Sequence, residues 1–498
     1  MNQVLNELDL KRRAASRTIS PEKKAHLGQY MTPSAIADFM ASLAHSPGLS
    51  SFRILDPGAG IGSLSVAVFE RLLQDPSTHD VRWIGYEIDG QLANSLREYI
   101  QAYESKFAAK GISFDAQLRQ EDFVQGSVDN ILLASNERFN LAILNPPYRK
   151  IRTESQDRLL LHQIGIETVN LYSAFLALTI ELLAPGGQAA AIIPRSFCNG
   201  PYYKAFRYRL LERAALLHIH LFNARDKAFG EEQVLQENVI LLLRRAGPQG
   251  HVKVSVSTDA QFHDYSESLH PFENIVHSDD LEKFIHIPVP GSDDEMDLYS
   301  RQTLRLADLG VDVSTGPVVD FRTTPFLSAL PTEDSVPLLY PGHFSVTGIT
   351  WPKMPTKKPN AILLTKETKK LLFPTGYYVV VRRFSSKEEQ RRIVANVVEP
   401  THFASYAMLG FENHLNVFHQ KGAQLPEEVA RGLAAYLNSA SIDLAFRRFS
   451  GHTQVNATDL RLMKYPPLPT IIELGKWAHH AGTPTSTMID TQLRALSE

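Results

Sequence analysis

The chain has 498 residues, 43% hydrophobic and 21% charged, enough for two or three domains, each with its own core. No apolar run is long enough to span a bilayer, and Met1 to Ser20 is too polar for a signal peptide; the single Cys198 excludes a disulfide framework and a thiolate zinc cluster, so a reducing, cytoplasmic setting is expected. The net charge of -3 is segregated, with 11 Asp/Glu against 2 Lys/Arg in residues 251–300 and 17 Lys/Arg against 9 Asp/Glu in residues 351–470, which suggests an acidic connector before a module that meets phosphates.

Taken in order, Lys11 to Lys24 reads as a basic helical leader. Gly28-Gln29-Tyr30-Met31-Thr32-Pro33 comes next, then a helix with Ile36, Phe39, Met40 and Leu43 at apolar spacing. Thr32 suits the N-cap and Pro33 the first helical position, but capping leaves Gly-Gln-Tyr unexplained. Phe52 to Leu55 is a short strand running into Asp56-Pro57-Gly58-Ala59-Gly60-Ile61-Gly62, with helical periodicity from Ser63 to Leu73. A strand, a glycine turn and a helix cradle nucleotide-like ligands. This turn lacks the G-x-G-x-x-G spacing, and Asp56 would repel a pyrophosphate, so a ligand without phosphates fits better. Val81 to Tyr86 is a second strand ending at Glu87-Ile88-Asp89, the place where ribose hydroxyls are usually held. Asp122 and Phe123 follow a further strand and could meet an adenine amine, though taken singly a solvated loop carboxylate is the better reading of Asp122, but not of Glu87.

Leu141 to Leu144 reads as a buried parallel strand that stops at Asn145-Pro146-Pro147-Tyr148. Paired prolines stiffen this loop at the carboxyl end of the sheet, where ligands of open α/β folds collect. An Asn carbonyl and a rigid backbone carbonyl together accept both hydrogens of an exocyclic amine, and a tyrosine ring stacks on a flat ring. The pattern suits a planar amine such as adenine. Leu171 to Leu183, containing Phe175, is an apolar helix closed by Pro185-Gly186-Gly187. Gln188 to Pro194, Leu216 to Phe222 and Asn238 to Leu243 are strands, with Phe229 in a turn before the last. Alternating strands and helices predict a doubly wound sheet ending near residue 245. The predicted divisions are a catalytic domain over 1–245, an acidic connector over 246–300 and a recognition domain over 301–498.

In this order the motifs resemble the gamma-class DNA adenine-N6 methyltransferases of restriction–modification systems. The resemblance implies an α/β, doubly wound, Rossmann-like S-adenosylmethionine-dependent domain followed by a mixed α+β target-recognition domain. It places Tyr30 and Thr32 in a motif that closes over S-adenosyl-L-methionine, and Asp56, Gly58 and Gly60 on the methionine moiety. Glu87 and Ile88 would meet the ribose, and Asp122, Phe123 and Phe175 the cofactor's adenine. Asn145, Pro146 and Tyr148 would be catalytic, with Pro147, Tyr148 and Phe229 around a flipped target base. Ser314 to Arg322 and His452 to Arg461 are similar to segments of target-recognition regions. The whole chain resembles the BsuBI–PstI group, which modifies adenine in CTGCAG. A monomer acting on double-stranded DNA, with a separate cognate restriction endonuclease and no membrane partner, is implied.

Arg382, Arg383, Arg391, Arg392, Arg447 and Arg448 are the candidates for gripping phosphates and reading bases. Two other readings stay open. One is a glutamine-N5 protein methyltransferase, which also uses Asn-Pro-Pro-Tyr but needs no long basic tail. The other is a non-catalytic DNA specificity subunit, against which Asp56, Glu87 and Asn145 speak. Glu367-Thr368-Lys369 has the spacing of a nuclease centre but no evident upstream partner. The 18 histidines show no metal-ligand pair, so no metal is expected.

Overall fold

Neighbouring residues of a strand point to opposite faces of a sheet, and in the first unit, residues 1–290, both faces are buried. Leu55, Leu144, Ile193 and Leu241 pack on one side, while Ile54, Ile143, Ile192 and Ile240 pack on the other. The computed structural model describes residues 3–18, 30–44, 48–222, 237–278, 280–288, 298–299, 301–345, 348–355, 358–385, 389–450 and 454–497.

The strands are β1 (Ser51–Pro57), β2 (Asp80–Tyr86), β3 (Ser113–Arg119), β4 (Phe139–Leu144), β5 (Leu183–Pro194), β6 (Ala214–Phe222), β7 (Asn238–Arg245), β8 (Val252–Ser257) and β9 (Ser266–His270). They form one sheet in the order β3-β2-β1-β4-β5-β7-β6-β8-β9. The run from β3 to β5 is parallel, and β7 lies antiparallel between β5 and β6. This is the expected Rossmann-like, doubly wound architecture. The chain winds one way from β1 to β3 and returns to the other side of β1 at β4, which opens a crevice at the carboxyl ends of β1 and β4.

Two expectations need correction. The sheet does not end at residue 245, because β8 pairs parallel with β6 and β9 antiparallel with β8. Val252, Val254 and Val256 are buried, whereas the residues of β9 are all at least partly exposed, so this edge strand has no apolar signature and reads as acidic connector. Nor does Thr32 cap the helix Ser34–Ala44. The first helical acceptor is Pro33 O, 3.0 Å from Ala37 N, and Asp9 of the leader helix Gln3–Thr18 accepts from Ser34 N at 3.3 Å. Thr32 is thereby released for another task. Cys198 is fully buried beyond β5, and burial pushes its thiol up to about 12.

The second unit, residues 291–498, is mixed α+β, with sheets of four, five and two strands among its described residues. Its four-stranded sheet runs Asp312–Thr315, Leu415–His419, Tyr378–Arg382, Ala395–Val398. The helices Glu427–Leu437 and Leu468–Ala481 touch through their backbones: a Cβ on Gly432 or Gly475 would lie 1.9 Å from Ile471 O or Glu428 O. Arg392 is not a surface phosphate ligand. It is 2% exposed and bonds Ser385 and Ser450, and Arg447 is ion-paired with Asp443 at 2.6 Å. Glu367 and Lys369 are exposed on a turn built by Thr368, whose hydroxyl donates to Leu363 O at 2.6 Å. Among the described residues no His/Cys/Asp/Glu group could hold a metal ion, and no helix is long and apolar enough to cross a membrane.

Two histidines of β6 face Ser255 of β8: His218 Nε2 lies 2.7 Å and His220 Nδ1 2.8 Å from its hydroxyl. Burial lowers their pKa values to about 4 and about 3, from an ordinary 6.5. The unfolded chain therefore binds more protons than the folded one between pH 6.5 and about 4. Their contribution to stability is fully present above pH 6.5 and falls as the pH drops through that window, by up to about 1.4 kcal/mol per pH unit per histidine. Urea unfolding at pH 7 and pH 5, of the native chain and of a variant with both residues substituted by glutamine, measures this contribution: the native chain should lose more stability, or gain less, between the two pH values than the variant does.

Candidate active site

A cavity of about 230 Å³ opens where β1, β2 and β4 end. Of the residues singled out from sequence, Tyr30, Thr32, Gly58, Gly60, Glu87, Ile88, Asp122, Phe123, Asn145, Pro147 and Phe175 line it. Asp56, Pro146 and Tyr148 do not, and Phe229 lies outside the described residues. Met31, Glu121, Arg149 and Leu171 also line it and were passed over. Glu121 and Arg149 adjoin expected site residues, so adjacency was the available signal.

The glycine turn after β1 bends over the cavity floor because Gly58 and Gly60 take positive φ, 76° and 58°. A Cβ on Gly58 would sit 3.6 Å from the Phe175 ring. The turn is pinned from β2. Tyr86 O accepts from Gly58 N and Ala59 N, and Glu87 Oε2 accepts from Gly60 N at 2.8 Å. Glu87 Oε1 accepts from Asp89 N at 2.7 Å. Burial raises the Glu87 pKa even so, outweighing those two hydrogen bonds.

Asp56 sits behind the turn, fully buried. Its Oδ2 accepts from Ser65 Oγ at 2.5 Å, and Ser65 is held by Trp83 Nε1 at 2.8 Å. Among the described residues its Oδ1 has no hydrogen-bond partner. Burial, reinforced by the nearby charge of Glu87, pushes this carboxyl up to about 7, while Ser65 opposes the rise.

The apolar wall is aromatic. Phe123 lies 4.8 Å from Phe175 and 5.1 Å from Tyr86, centroid to centroid. Ile88 lines the cavity while 58% exposed. Asp122 is the N-cap of the helix Phe123–Leu132 and accepts from Gln125 N at 3.0 Å, so it is neither a bare loop carboxylate nor committed to the cavity alone.

Asn145 is fixed by the segment that fails to cap its own helix. Its Nδ2 donates to Tyr30 O at 2.7 Å and to Thr32 Oγ1 at 2.9 Å. A backbone carbonyl only accepts, which sets the amide's orientation and turns Oδ1 away from both partners. Tyr148 is less open than its loop position suggests. Its hydroxyl donates to Ile192 O at 3.3 Å, and its ring lies 5.6 Å from Tyr30 and 6.2 Å from Tyr172. The arrangement can present a fixed acceptor to an amine beside a cavity that offers a carboxylate, backbone amides and aromatic faces.

Comparison with known proteins identifies the family. The Eco57I restriction-modification methylase family matches residues 79–229. The type II methyltransferase M.BsuBI of Bacillus subtilis is 46% identical over 96% of this chain and 94% of its own length. The type II methyltransferase M.PstI of Providencia stuartii is 40% identical over 92% of this chain and 90% of its own. In fold, the type IIL restriction-modification enzyme MmeI, solved in complex with DNA, is similar at a TM-score of 0.54 and 12% identity, covering 99% of this chain and 74% of that one. With identity sustained from end to end, this chain belongs to the family of type II restriction–modification methyltransferases that includes M.BsuBI and M.PstI.

Proposed function

We propose that the chain transfers a methyl group from S-adenosyl-L-methionine to N6 of an adenine rotated out of duplex DNA. The target is CTGCAG, and the protein works as a monomer beside a separate cognate endonuclease. The observation that carries this reading is the orientation of Asn145, whose Nδ2 is committed to Tyr30 and Thr32 while Oδ1 remains as an acceptor. Family membership favours it over the glutamine-methylating and non-catalytic readings.

The cavity's donor set fits the cofactor. Glu87 suits ribose hydroxyls, and Phe123, Phe175 and Ile88 suit a purine face; Asp56, whose buried Oδ1 has no partner among the described residues, lies behind the glycine turn and not on the cavity lining. When bound, the cofactor supplies an electrophilic methyl group on a sulfonium. The chain's own contribution is orientation. Accepting the two amine hydrogens with Asn145 Oδ1 and the Pro146 carbonyl would favour a pyramidal nitrogen with a free lone pair. Fixed orientation of this kind can be worth roughly 7–11 kcal/mol of barrier. Extruding the base costs a few kcal/mol, which stacking on the Asn145–Tyr148 loop would offset. The second unit would contact the duplex.

The direct test uses labelled cofactor and a CTGCAG duplex, with nucleoside mass spectrometry expected to find N6-methyladenine. Label on cytosine, or none on DNA, would refute the proposal. Asn145→Ala should lower kcat on the order of 10²–10³-fold while duplex affinity changes little. Thr32→Val, which leaves one Nδ2 hydrogen without its acceptor, should cost roughly tenfold in kcat. Glu87→Ala should weaken cofactor binding by roughly tenfold or more in calorimetry; an unchanged affinity would remove Glu87 from the cofactor site.

A further inference from the structure

The second unit contains a cavity of about 420 Å³ lined in part by Lys353, Lys358, Arg382, Phe384, Glu412 and His414. Glu412 is fully buried beneath it. Its Oε2 accepts from the His414 backbone N at 2.9 Å, and its Oε1 bonds His414 Nδ1. A carboxylate oxygen cannot donate, so a ring proton sits on Nδ1, and a ring that carries only that proton presents Nε2 as an acceptor. The strand end that carries Arg382 runs beside His414, since the next residue, Arg383, donates its backbone N to His414 O at 2.9 Å. Arg382 Nη2 is paired with Glu389 at 2.8 Å, both side chains about one-third exposed, and its buried Nε has no partner among the described residues. Ion pairs this exposed exchange partners readily. Phe384, 46% exposed, lies 5.2 Å from the His414 ring.

These groups do not suit a bare phosphate. Lys353 and Lys358 are tied to Gly342 O at 2.8 Å and to Asp320 at 2.7 Å, and a buried carboxylate stands behind the imidazole. What the cavity offers is a forked donor, Arg382, and an acceptor, His414 Nε2. A G·C pair shows the complement in the major groove: guanine O6 and N7 accept, and the cytosine N4 amine donates.

Resting on the DNA-methylating reading, we propose that this cavity reads one G·C pair of the recognition site. Arg382 donates to guanine O6 and N7, and His414 Nε2 accepts from cytosine N4. Glu412 acts as a positioning residue that holds the tautomer.

The test compares kcat/KM on the cognate duplex with duplexes changed at one base pair each, for the full chain and for His414→Ala and Arg382→Ala. Both side chains are partly exposed, so unchanged melting and cofactor binding are expected. Each variant should lose about 10- to 100-fold of its discrimination at the same single G·C position and keep it at the others. If Arg382→Ala lowers the melting temperature, Arg382→Lys keeps the charge without the fork and must show the same single-position loss. Uniform weakening on all duplexes with a shallower salt dependence would mean phosphate contact and overturn the inference. So would unchanged discrimination, or losses at different positions. An unsubstituted chain that methylates no duplex DNA overturns the methylation reading as well, whereas an active chain with discriminating variants overturns this inference alone.

Discussion

A side-chain amide has a donor end and an acceptor end, and a backbone carbonyl can meet only the first. Tyr30 O therefore dictates the direction in which Asn145 faces, and Thr32 secures the second hydrogen. Much of the first unit can be read as support for that contact. The sheet order brings the end of β4 beside the glycine turn of β1. The leader helix, through Asp9, takes over part of the helix start that Thr32 would otherwise have served. Buried strands on both sides keep the loop that carries Asn145 from drifting.

The same packing makes the surroundings of the glycine turn electrostatically unusual. Asp56 and Glu87 lie close together with little solvent, so each resists ionising, burial being the larger cause for both. Glu87 is compensated by two backbone amides, whereas Asp56 keeps one oxygen unpaired among the described residues. An unpaired buried acceptor is costly unless something positive arrives to meet it.

The central strands were legible because burial on both faces leaves continuous apolar runs; Glu87 and Asn145 stood out because each follows a strand directly, and Gly58 and Gly60 because they lie in the turn that follows β1. What escaped was whatever depends on a partner distant in sequence. Thr32 looked like a helix cap because the local pattern allows it, and its true partner is 113 residues away. β9 carries charges on an exposed edge and so resembles a linker. Arg392 counted towards a basic face, yet charge in a sequence says nothing about burial. The pairing of Glu412 with His414 has the spacing of any two polar residues on a turn; only the cavity above it distinguishes the pair.

Cys198 has a practical consequence. The thiolate is the reactive form, and a thiol raised to about 12 supplies almost none of it near neutrality, besides being enclosed by the core. As the chain holds a single cysteine, the native protein is silent towards maleimides and disulfide reagents. Any cysteine introduced on the surface becomes a unique attachment point. A fluorophore or spin label can then be placed on either unit, and its movement on a duplex followed, without first removing a native residue.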